Sequence, residues 1–153
     1  MSKSIKIFSL KIILILIIIV FPNLNNAKEI LIFADSISYD EEENIIARGN
    51  AKIFQKNKLI VSDLIIYKKI DEQVILPSSF VFKDEKNNFF EGENGFFNKN
   101  MNLAEFDNPK IRLNDGSRII GSKIKRNGHI DIISKGVYSP CKSKIKIVNF
   151  ICP

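Results

Sequence analysis

Two cysteines carry the most reactive side chains of this 153-residue sequence, and both lie within its last thirteen residues. Cys141 and Cys152 are separated by ten residues, which is enough chain to close a loop through a disulfide. Disulfides persist in exported proteins and are rare in the cytosol. The pair is therefore a disulfide candidate, provided that the rest of the chain indicates export.

The other residues that could do chemistry are weak candidates. His129 is the single histidine and lies in "RNGHID" (126–131), a predicted turn, where we expect a solvated side chain rather than a catalytic base. "DEEE" (40–43) brings carboxylates together in a polar turn without a partner base, so a solvated turn is favoured over a weak cation site. No glycine-rich phosphate loop, metal-ligand spacing or nucleophile motif occurs. The sequence predicts no enzyme activity, no cofactor and no metal.

The N-terminus has the layout of a secretory signal peptide. Lys3, Lys6 and Lys11 form a positive region before an unbroken apolar run at 12–21, and a short polar stretch then leads to Ala27. The apolar core is too short for a transmembrane helix, which needs about 20 residues. We predict cleavage after Ala27, with an uncleaved anchor as the alternative. Export would allow Cys141 and Cys152 to be oxidised.

Much of the basic character belongs to this targeting segment. Removing residues 1–27 removes three lysines and lowers the net charge from +6 to +3. The remaining positive charge is spread along the chain, whereas nucleic-acid binding needs a clustered basic face, so no nucleic-acid partner is predicted. The balance fits an anionic partner, although a solvated surface explains it equally well.

The rest of the chain repeats with a period of about 29 residues. The anchors Asp35, Asp63, Glu93 and Ser122 are 28, 30 and 29 residues apart, and each follows a small residue. Equivalent positions follow at four residues (Tyr39, Tyr67, Phe97, Arg126), eleven residues (Ile46, Val74, Ala104, Ile133), fourteen residues (Gly49, Pro77, Asp107, Gly136) and eighteen residues (Ile53, Val81, Ile111). The slack between units falls in the polar stretches "QKNK", "DEKNN" and "NDGS".

Each unit is predicted to form a strand, a polar turn, a second strand, a bend and a continuation. Stacked units of this kind share an apolar lining that no single unit can bury. The predicted fold class is all-β: a twisted antiparallel β-roll, or β-jellyroll, of about eight to ten strands over an apolar interior. An ordinary β-sandwich that arose by gene duplication is the alternative.

The first unit resembles a known family. "ADSISYDEEENIIARGNAKI" (34–53) is similar to the strand-turn-strand motif of the organic-solvent-tolerance (OstA-like) domain of lipopolysaccharide transport, in which an Asp after a small residue opens the unit. The matching residues are Asp35, Tyr39, Asp40, Ala47, Gly49 and Asn50. The second unit repeats Asp63 and Tyr67 but has Pro77 in place of the glycine. The resemblance covers nearly all of the chain after Ala27.

The segment "GVYSPC" (136–141), followed by a further Cys and Pro, resembles the LptD branch of this family. In that branch the roll is a periplasmic N-terminal domain, joined by disulfides to a large outer-membrane β-barrel. The LptA branch bridges the periplasm with the same roll and typically lacks such a segment. The resemblance implies that one or both of Cys141 and Cys152 pair with a barrel that this sequence does not contain, beside the possibility of a local bridge. We therefore expect a signal peptide at 1–27, a roll at 28–136 and a cysteine-containing segment at 137–153 that leads toward a missing barrel.

The resemblance also implies a function in the periplasm and at the outer membrane of a Gram-negative bacterium. An LptD-like roll would bind the acyl chains of lipopolysaccharide in an apolar groove and pass them toward the outer membrane. The lining candidates are Ile37, Tyr39, Ile46, Ile53, Ile65, Tyr67, Val74, Val81, Phe97 and Ile111. The alternative is that these residues fill a closed core, and a phase error of one residue would exchange the two faces of a strand.

Expected partners are lipopolysaccharide and neighbouring β-roll proteins, which would dock by strand addition at the first strand near "EILIFAD" (29–35). A full-length LptD-like protein would add an outer-membrane barrel and its lipoprotein plug. Two other functions remain open. One is an LptA-like bridging subunit, and the other is a secreted structural β-repeat protein that binds other proteins and no lipid.

Overall fold

Apolar runs between polar clusters form strands throughout the part of the chain that the computed structural model describes, residues 30–140. The strands are β1 (Leu31–Phe33), β2 (Ser36–Tyr39), β3 (Ile45–Gln55), β4 (Lys58–Lys68), β5 (Gln73–Leu76), β6 (Phe80–Lys83), β7 (Phe89–Asn98), β8 (Leu103–Arg112), β9 (Arg118–Ile120), β10 (Lys123–Asn127), β11 (Ile130–Ser134) and β12 (Val137–Ser139). Within this range no helix is long and apolar enough to cross a membrane.

All twelve strands belong to one antiparallel sheet that folds over on itself. The four long strands β3, β4, β7 and β8 pass from one layer into the other at mid-length, so each contributes a half to both layers. The first layer has the order β1–β3–β4–β6–β7–β8–β9–β12, and the second has the order β2–β3–β4–β5–β7–β8–β10–β11. The all-β roll is confirmed. Strands outnumber the predicted eight to ten because short breaks divide the chain at several of the bends.

The bends of all units lie along one edge of the roll, which we call the corner. The backbone N–H of Asp35 donates to the carbonyl of Gly49 over 2.9 Å, and that of Asn108 donates to the carbonyl of Ser122 over 3.0 Å. The 29-residue period is thus one passage through both layers and back, with the anchors and the positions 14 or 15 residues later at the corner. At the corner the chain passes from one layer of the sheet into the other.

Polar turns join the strands on the sides away from the corner. In the turn after β2, the Oδ1 atom of Asp40 accepts hydrogen bonds from the backbone N–H groups of Glu42 and Asn44. Its Oδ2 atom accepts a third hydrogen bond from Asn44 Nδ2 over 2.9 Å. The turn at 84–88 repeats this arrangement, with Asp84 accepting from Asn88. Of the carboxylates in "DEEE" (40–43), that of Asp40 therefore stabilises the turn by accepting its hydrogen bonds.

Each end of the roll has two edge strands, β1 and β2 at one end and β11 and β12 at the other. Large exposed apolar side chains concentrate on these strands: Leu31, Phe33, Ile37 and Tyr39 at the first end, and Ile130, Ile132, Val137 and Tyr138 at the second. Because β12 pairs with β9, residues 137–139 belong to the sheet. The signal peptide at 1–27 and the cysteines Cys141 and Cys152 lie outside the described residues.

Candidate functional site

Two rows of side chains face each other between the layers and run the whole length of the roll. Residues paired across neighbouring strands project to the same face of a sheet, so the registers define each row. The first-layer row is Ile32, Ile53, Ile60, Phe82, Phe90, Ile111, Ile119 and Tyr138. The second-layer row is Tyr39, Ile45, Tyr67, Val74, Phe97, Ala104, Arg126 and Asp131. We call the surfaces that carry these rows the inner faces.

Aromatic rings join the inner faces at the centre of the roll. The ring of Phe97 in the second layer lies 5.0 Å from that of Phe82 and 5.6 Å from that of Phe80, both in the first layer. Phe80 also contacts Phe106 edge-to-face at 5.1 Å. All four side chains are buried. At its centre, the space between the two layers is therefore filled by a packed apolar core.

Gly95 makes room for this aromatic cluster. A Cβ atom on Gly95 would lie 2.5 Å from the ring of Phe80, which is closer than real contacts allow. The backbone of β7 therefore approaches the first layer directly at this point, and the ring fills the space that a side chain would take.

The side of the roll opposite the corner is closed by polar contacts, and we call it the mouth. Here the β3–β4 hairpin of the first layer meets the β7–β8 turn of the second. Gln55 Nε2 donates to the carbonyl of Lys99 over 2.7 Å, and Lys58 Nζ donates to that of Asn100 over 2.9 Å. Met101, in the same turn, is buried against the core. The two layers are thus held together at the mouth by a few side-chain contacts, whereas at the corner the long strands run continuously from one layer into the other.

Eight of the ten predicted lining residues project from the inner faces. Ile53, Ile65, Val74, Phe97 and Ile111 are fully buried there, and Tyr67 is partly buried. Ile37 and Tyr39 face inward by register but belong to the edge strand β2, where their side chains are 48% and 64% exposed. Whether any of the eight contacts lipid stays a prediction.

Ile46 and Val81 were expected on the inner face and lie on the outer one. Ile46 is paired with Ile66, and the inward residue at that level is its neighbour Ile45. Val81 is paired with Val61 and alternates with the buried Phe80 and Phe82. These two assignments were wrong in phase.

The phase errors come from differences of one residue in the connections. Tyr39 pairs with Ile45, six positions later, whereas Tyr67 pairs with Val74, seven positions later, so the connection between the paired residues is one residue shorter in the first unit. An extra residue at the bend of β3 restores the phase before Ile53, as the register shift in this strand shows. An alignment of the units without gaps cannot register these changes, and each one exchanges the two faces.

The most important inner residues that sequence reasoning missed are phenylalanines. Phe80, Phe82, Phe90 and Phe106 fill the centre of the core but stood outside the aligned repeat positions. The alternation "FVF" at 80–82 and the buried residues of "FFEGENGFF" at 89–97 carried the signal, since every second residue of a half-buried strand faces inward.

The outer face of the second layer also has an apolar stretch. Ile46, Ile66, Ile75 and Phe96 pair side by side across four strands and are partly buried. Charged residues continue the row, where Glu105 contacts Lys123 and Lys125. His129 is exposed in its turn, and no cluster of potential metal ligands exists among residues 30–140.

The fold has a counterpart among solved structures. The crystal structure of LptH from Pseudomonas aeruginosa, described as the LptA-homologous periplasmic component of the conserved lipopolysaccharide transport device, is similar with a TM-score of 0.56. The match covers 82% of this chain and 91% of LptH at 16% sequence identity. At this identity the similarity establishes the fold, which is the predicted roll. No protein-family model and no curated protein sequence matches the chain.

Proposed function

We propose that this chain is a component of lipopolysaccharide transport that binds acyl chains between its two layers and passes them along the roll toward the outer membrane. The observation that carries the proposal is the pair of inner rows, which run from one end of the roll to the other within residues 30–140. LptH, which has the same fold, is a component of such a transport device. This function needs no catalytic group, and it places the chain in the periplasm.

Lipid binding requires the mouth to open, because the centre of the core is packed. A hydrogen bond contributes about 0.5–1.5 kcal/mol net, so releasing Gln55 and Lys58 from the β7–β8 turn costs roughly 1–3 kcal/mol. Burying methylene groups returns about 0.8 kcal/mol each. A few methylenes of one acyl chain therefore offset the loss of the polar contacts. The corner would act as the hinge, since the strands are continuous there.

Within this function we propose the LptD-like role, a periplasmic roll that precedes an outer-membrane barrel. The support is the segment around Cys141 and Cys152, whose barrel partners would also bring the lipoprotein plug. The LptA-like bridging role fits the fold equally well. Non-reducing electrophoresis of cell extracts distinguishes the two, because an LptD-like roll is present in a barrel-sized species, whereas a bridging subunit migrates at its own mass.

The packed centre of the core is the observation that favours the third possibility, a secreted structural β-repeat protein. Such a protein would keep its layers closed and would bind other proteins through its surfaces. In-cell photo-crosslinking separates this function from lipid transport. The adjacent residues Phe96 and Phe97 are a matched pair, because Phe97 is fully buried on the inner face and Phe96 lies on the outer face.

The experiment replaces each of the two by a benzoyl-phenylalanine in living cells. Lipid transport predicts lipopolysaccharide adducts at position 97 and none at position 96. Because the larger side chain at 97 strains the packed core, Tyr67 serves as a second inner position that is already partly exposed. Absence of lipid adducts at both 67 and 97, together with protein adducts at 96, would support the structural protein instead.

A further inference from the structure

A cavity of about 320 Å³ lies at the mouth, beside the turn that contains Met101. Its apolar walls are Phe90, Met101 and Leu113, so it leads directly onto the inner face of the first layer. Lys58 and Arg126 supply cationic walls from opposite layers. An apolar floor with cations above it fits a ligand that has an apolar tail and an anionic head.

Arg126 is the unusual member of the second-layer row. The three preceding units have Tyr39, Tyr67 and Phe97 at this position, whereas the fourth has a guanidinium group whose side chain is only 10% exposed. The group lies 4.3 Å from the ring centroid of Phe90. Its Nε and Nη2 atoms donate to the two carboxylate oxygens of Asp131 over 2.7 and 2.8 Å. A bidentate anion site is thus already formed on the inner face and is occupied by a side chain of the same hairpin.

Lys58 and Arg126 are less exposed than the acids that pair with them at the cavity. The side chain of Lys58 is 16% exposed, whereas its partner Glu85, at 3.5 Å, is 55% exposed. Asp131 is 28% exposed, nearly three times the exposed fraction of Arg126. Asp84, also at the cavity, uses its carboxylate to close its own turn. An anion that enters the cavity would therefore meet two cationic groups whose acidic partners are the more exposed members of each pair.

We infer that this cavity binds the phosphate monoester of a phosphorylated amphiphile, with Arg126 and Lys58 as ligands and the alkyl chains on the inner face. The inference rests on the proposed function and names the head group that the mouth recognises. Arg126 would exchange the carboxylate of Asp131 for two phosphate oxygens, since a guanidinium group binds either in the same bidentate geometry. Asp131 would then act as a competitor that keeps the site charge-balanced when no lipid is present.

The test measures binding of dodecyl phosphate and of the neutral dodecyl maltoside to the purified chain, both below their micellar concentrations. Arg126→Gln is expected to weaken binding of dodecyl phosphate about tenfold, the loss of one charge-assisted interaction, and to leave binding of the maltoside within twofold. Asp131→Asn is expected to strengthen binding of dodecyl phosphate several-fold. Arg112→Gln is the matched control, because Arg112 stacks on Phe89 at 4.6 Å and its side chain lies on the outer face.

A second measurement keeps the inference testable if a variant does not fold. In the unaltered chain, the Arg126 Nε–H resonance should shift on addition of dodecyl phosphate and stay in place with the maltoside. Equal affinities of the Arg126→Gln and Arg112→Gln variants, or an Nε–H resonance that does not move, would overturn the phosphate site. A shift of the same size with inorganic phosphate at equal concentration would also overturn it, since the ligand would then be the free anion. Binding of both amphiphiles without preference would overturn the phosphate site and leave the proposed function intact. Binding of neither amphiphile would contradict both the phosphate site and the proposed function.

Discussion

The side chains of Asp35 and Asn50, fifteen residues apart, hydrogen-bond across the corner of the roll, where Asn50 Nδ2 donates to Asp35 Oδ2 over 2.8 Å. The equivalent residues two units later repeat the contact, with Asn108 Nδ2 donating to Glu93 Oε1 over 2.6 Å. Both asparagines have positive φ, at 45° and 50°. In these two units the acidic anchor thus marks the point at which an asparagine with left-handed backbone turns a strand into the other layer.

Substitution of Gly49, which lies beside this contact, should lower the free energy of unfolding strongly. Its φ is +73°, and an added Cβ would lie 2.5 Å from Asp35 Oδ2. Gly128 has a similar φ of +65° but nothing within 4 Å of its missing Cβ. Gly128→Ala should therefore cost about 1 kcal/mol of unfolding free energy for the left-handed backbone alone. Gly49→Ala should cost at least about 1 kcal/mol more, measured by urea denaturation.

A double-mutant cycle separates the steric part of this cost from the backbone part. In an Asp35→Ala background the obstructing carboxylate is absent but the Cβ of residue 35, 3.0 Å from the added Cβ, remains, so the cost of Gly49→Ala should fall toward that of Gly128→Ala without reaching it. An unchanged cost would show that the left-handed backbone alone makes the position sensitive.

Truncation of Phe82 and of its neighbour Val81 should lower stability by very different amounts. Phe82 is fully buried and touches Phe90 and Phe97, so Phe82→Ala should lower the unfolding free energy by about 3–5 kcal/mol. Val81 is 37% exposed on the outer face, and Val81→Ala should cost less than about 1 kcal/mol. Thermal unfolding followed by circular dichroism measures both. Similar losses for the two variants would contradict the assigned faces.

The sequence supports the fold much better than it supports single site residues. The anchors, polar turns and bends predicted a repeated strand-turn-strand unit, and the corner lies at the predicted bends. Gly49 has a positive φ, Pro77 lies between β5 and β6, and Asp107 precedes Asn108, whose φ is also positive. Val81 shows the limit, since the face of a side chain depends on every residue count before it. Turn lengths that differ by one residue carry no strong compositional signal.

The closed mouth could not be foreseen from the repeat at all. Gln55 and Lys58 donate to backbone carbonyls more than forty residues away, and a backbone carbonyl has no sequence signature. Met101 stood in a turn that the pattern treated as solvated, yet its side chain is buried. Contacts of this kind follow from the separation of the two layers, which the sequence pattern does not encode.

The mouth predicts that Gln55 controls opening of the roll. Gln55→Ala removes the donor to the carbonyl of Lys99 and leaves that carbonyl without this partner, at a cost of about 1–3 kcal/mol. Amide hydrogen exchange in the β7–β8 turn should accelerate, and dodecyl maltoside should bind more tightly because less energy is needed to part the layers. Faster exchange without tighter binding would argue that lipids do not use the mouth.

The lowered pKa of Asp40 should make the stability of the fold decrease at acidic pH. The hydrogen bond from the Asn44 side chain, assisted by two backbone N–H groups, holds the pKa of Asp40 below its ordinary value of 3.8. A carboxylate with a lowered pKa in the folded state stabilises the fold above its unfolded pKa, and this contribution is lost as the pH falls through the folded pKa. The stability difference between the unaltered chain and Asn44→Ala should therefore shrink on acidification.

Carboxyl-carbon NMR titration tests the cause directly. Asn44→Ala should raise the pKa of Asp40 toward 3.8. Lys68→Ala is the control, because Lys68 makes the smallest contribution to the lowered pKa and its removal should move the pKa less. A larger change with Lys68→Ala would make long-range charge the dominant cause and would remove the turn from the explanation.

The two ends of the roll predict directional assembly. Strand β1 and strand β11 each lack a pairing partner on one side within residues 30–140, and each exposes a large apolar side chain on its outer face, Phe33 at 54% and Ile132 at 65%. If neighbouring rolls dock by strand addition, as expected from the sequence, one end of a roll meets the other end of the next, and the chain should form open-ended oligomers that lengthen with concentration.

Lysine on an edge strand opposes pairing with another chain. Phe33→Lys should block the first end, Ile132→Lys should block the second, and each variant alone should remain a monomer by light scattering. Mixed in equal amounts, the two variants retain one intact end of each kind, so they should form a dimer that grows no further. A mixture that stays monomeric would contradict joining of unlike ends. Single variants that still form dimers would instead indicate that two copies of the same end meet.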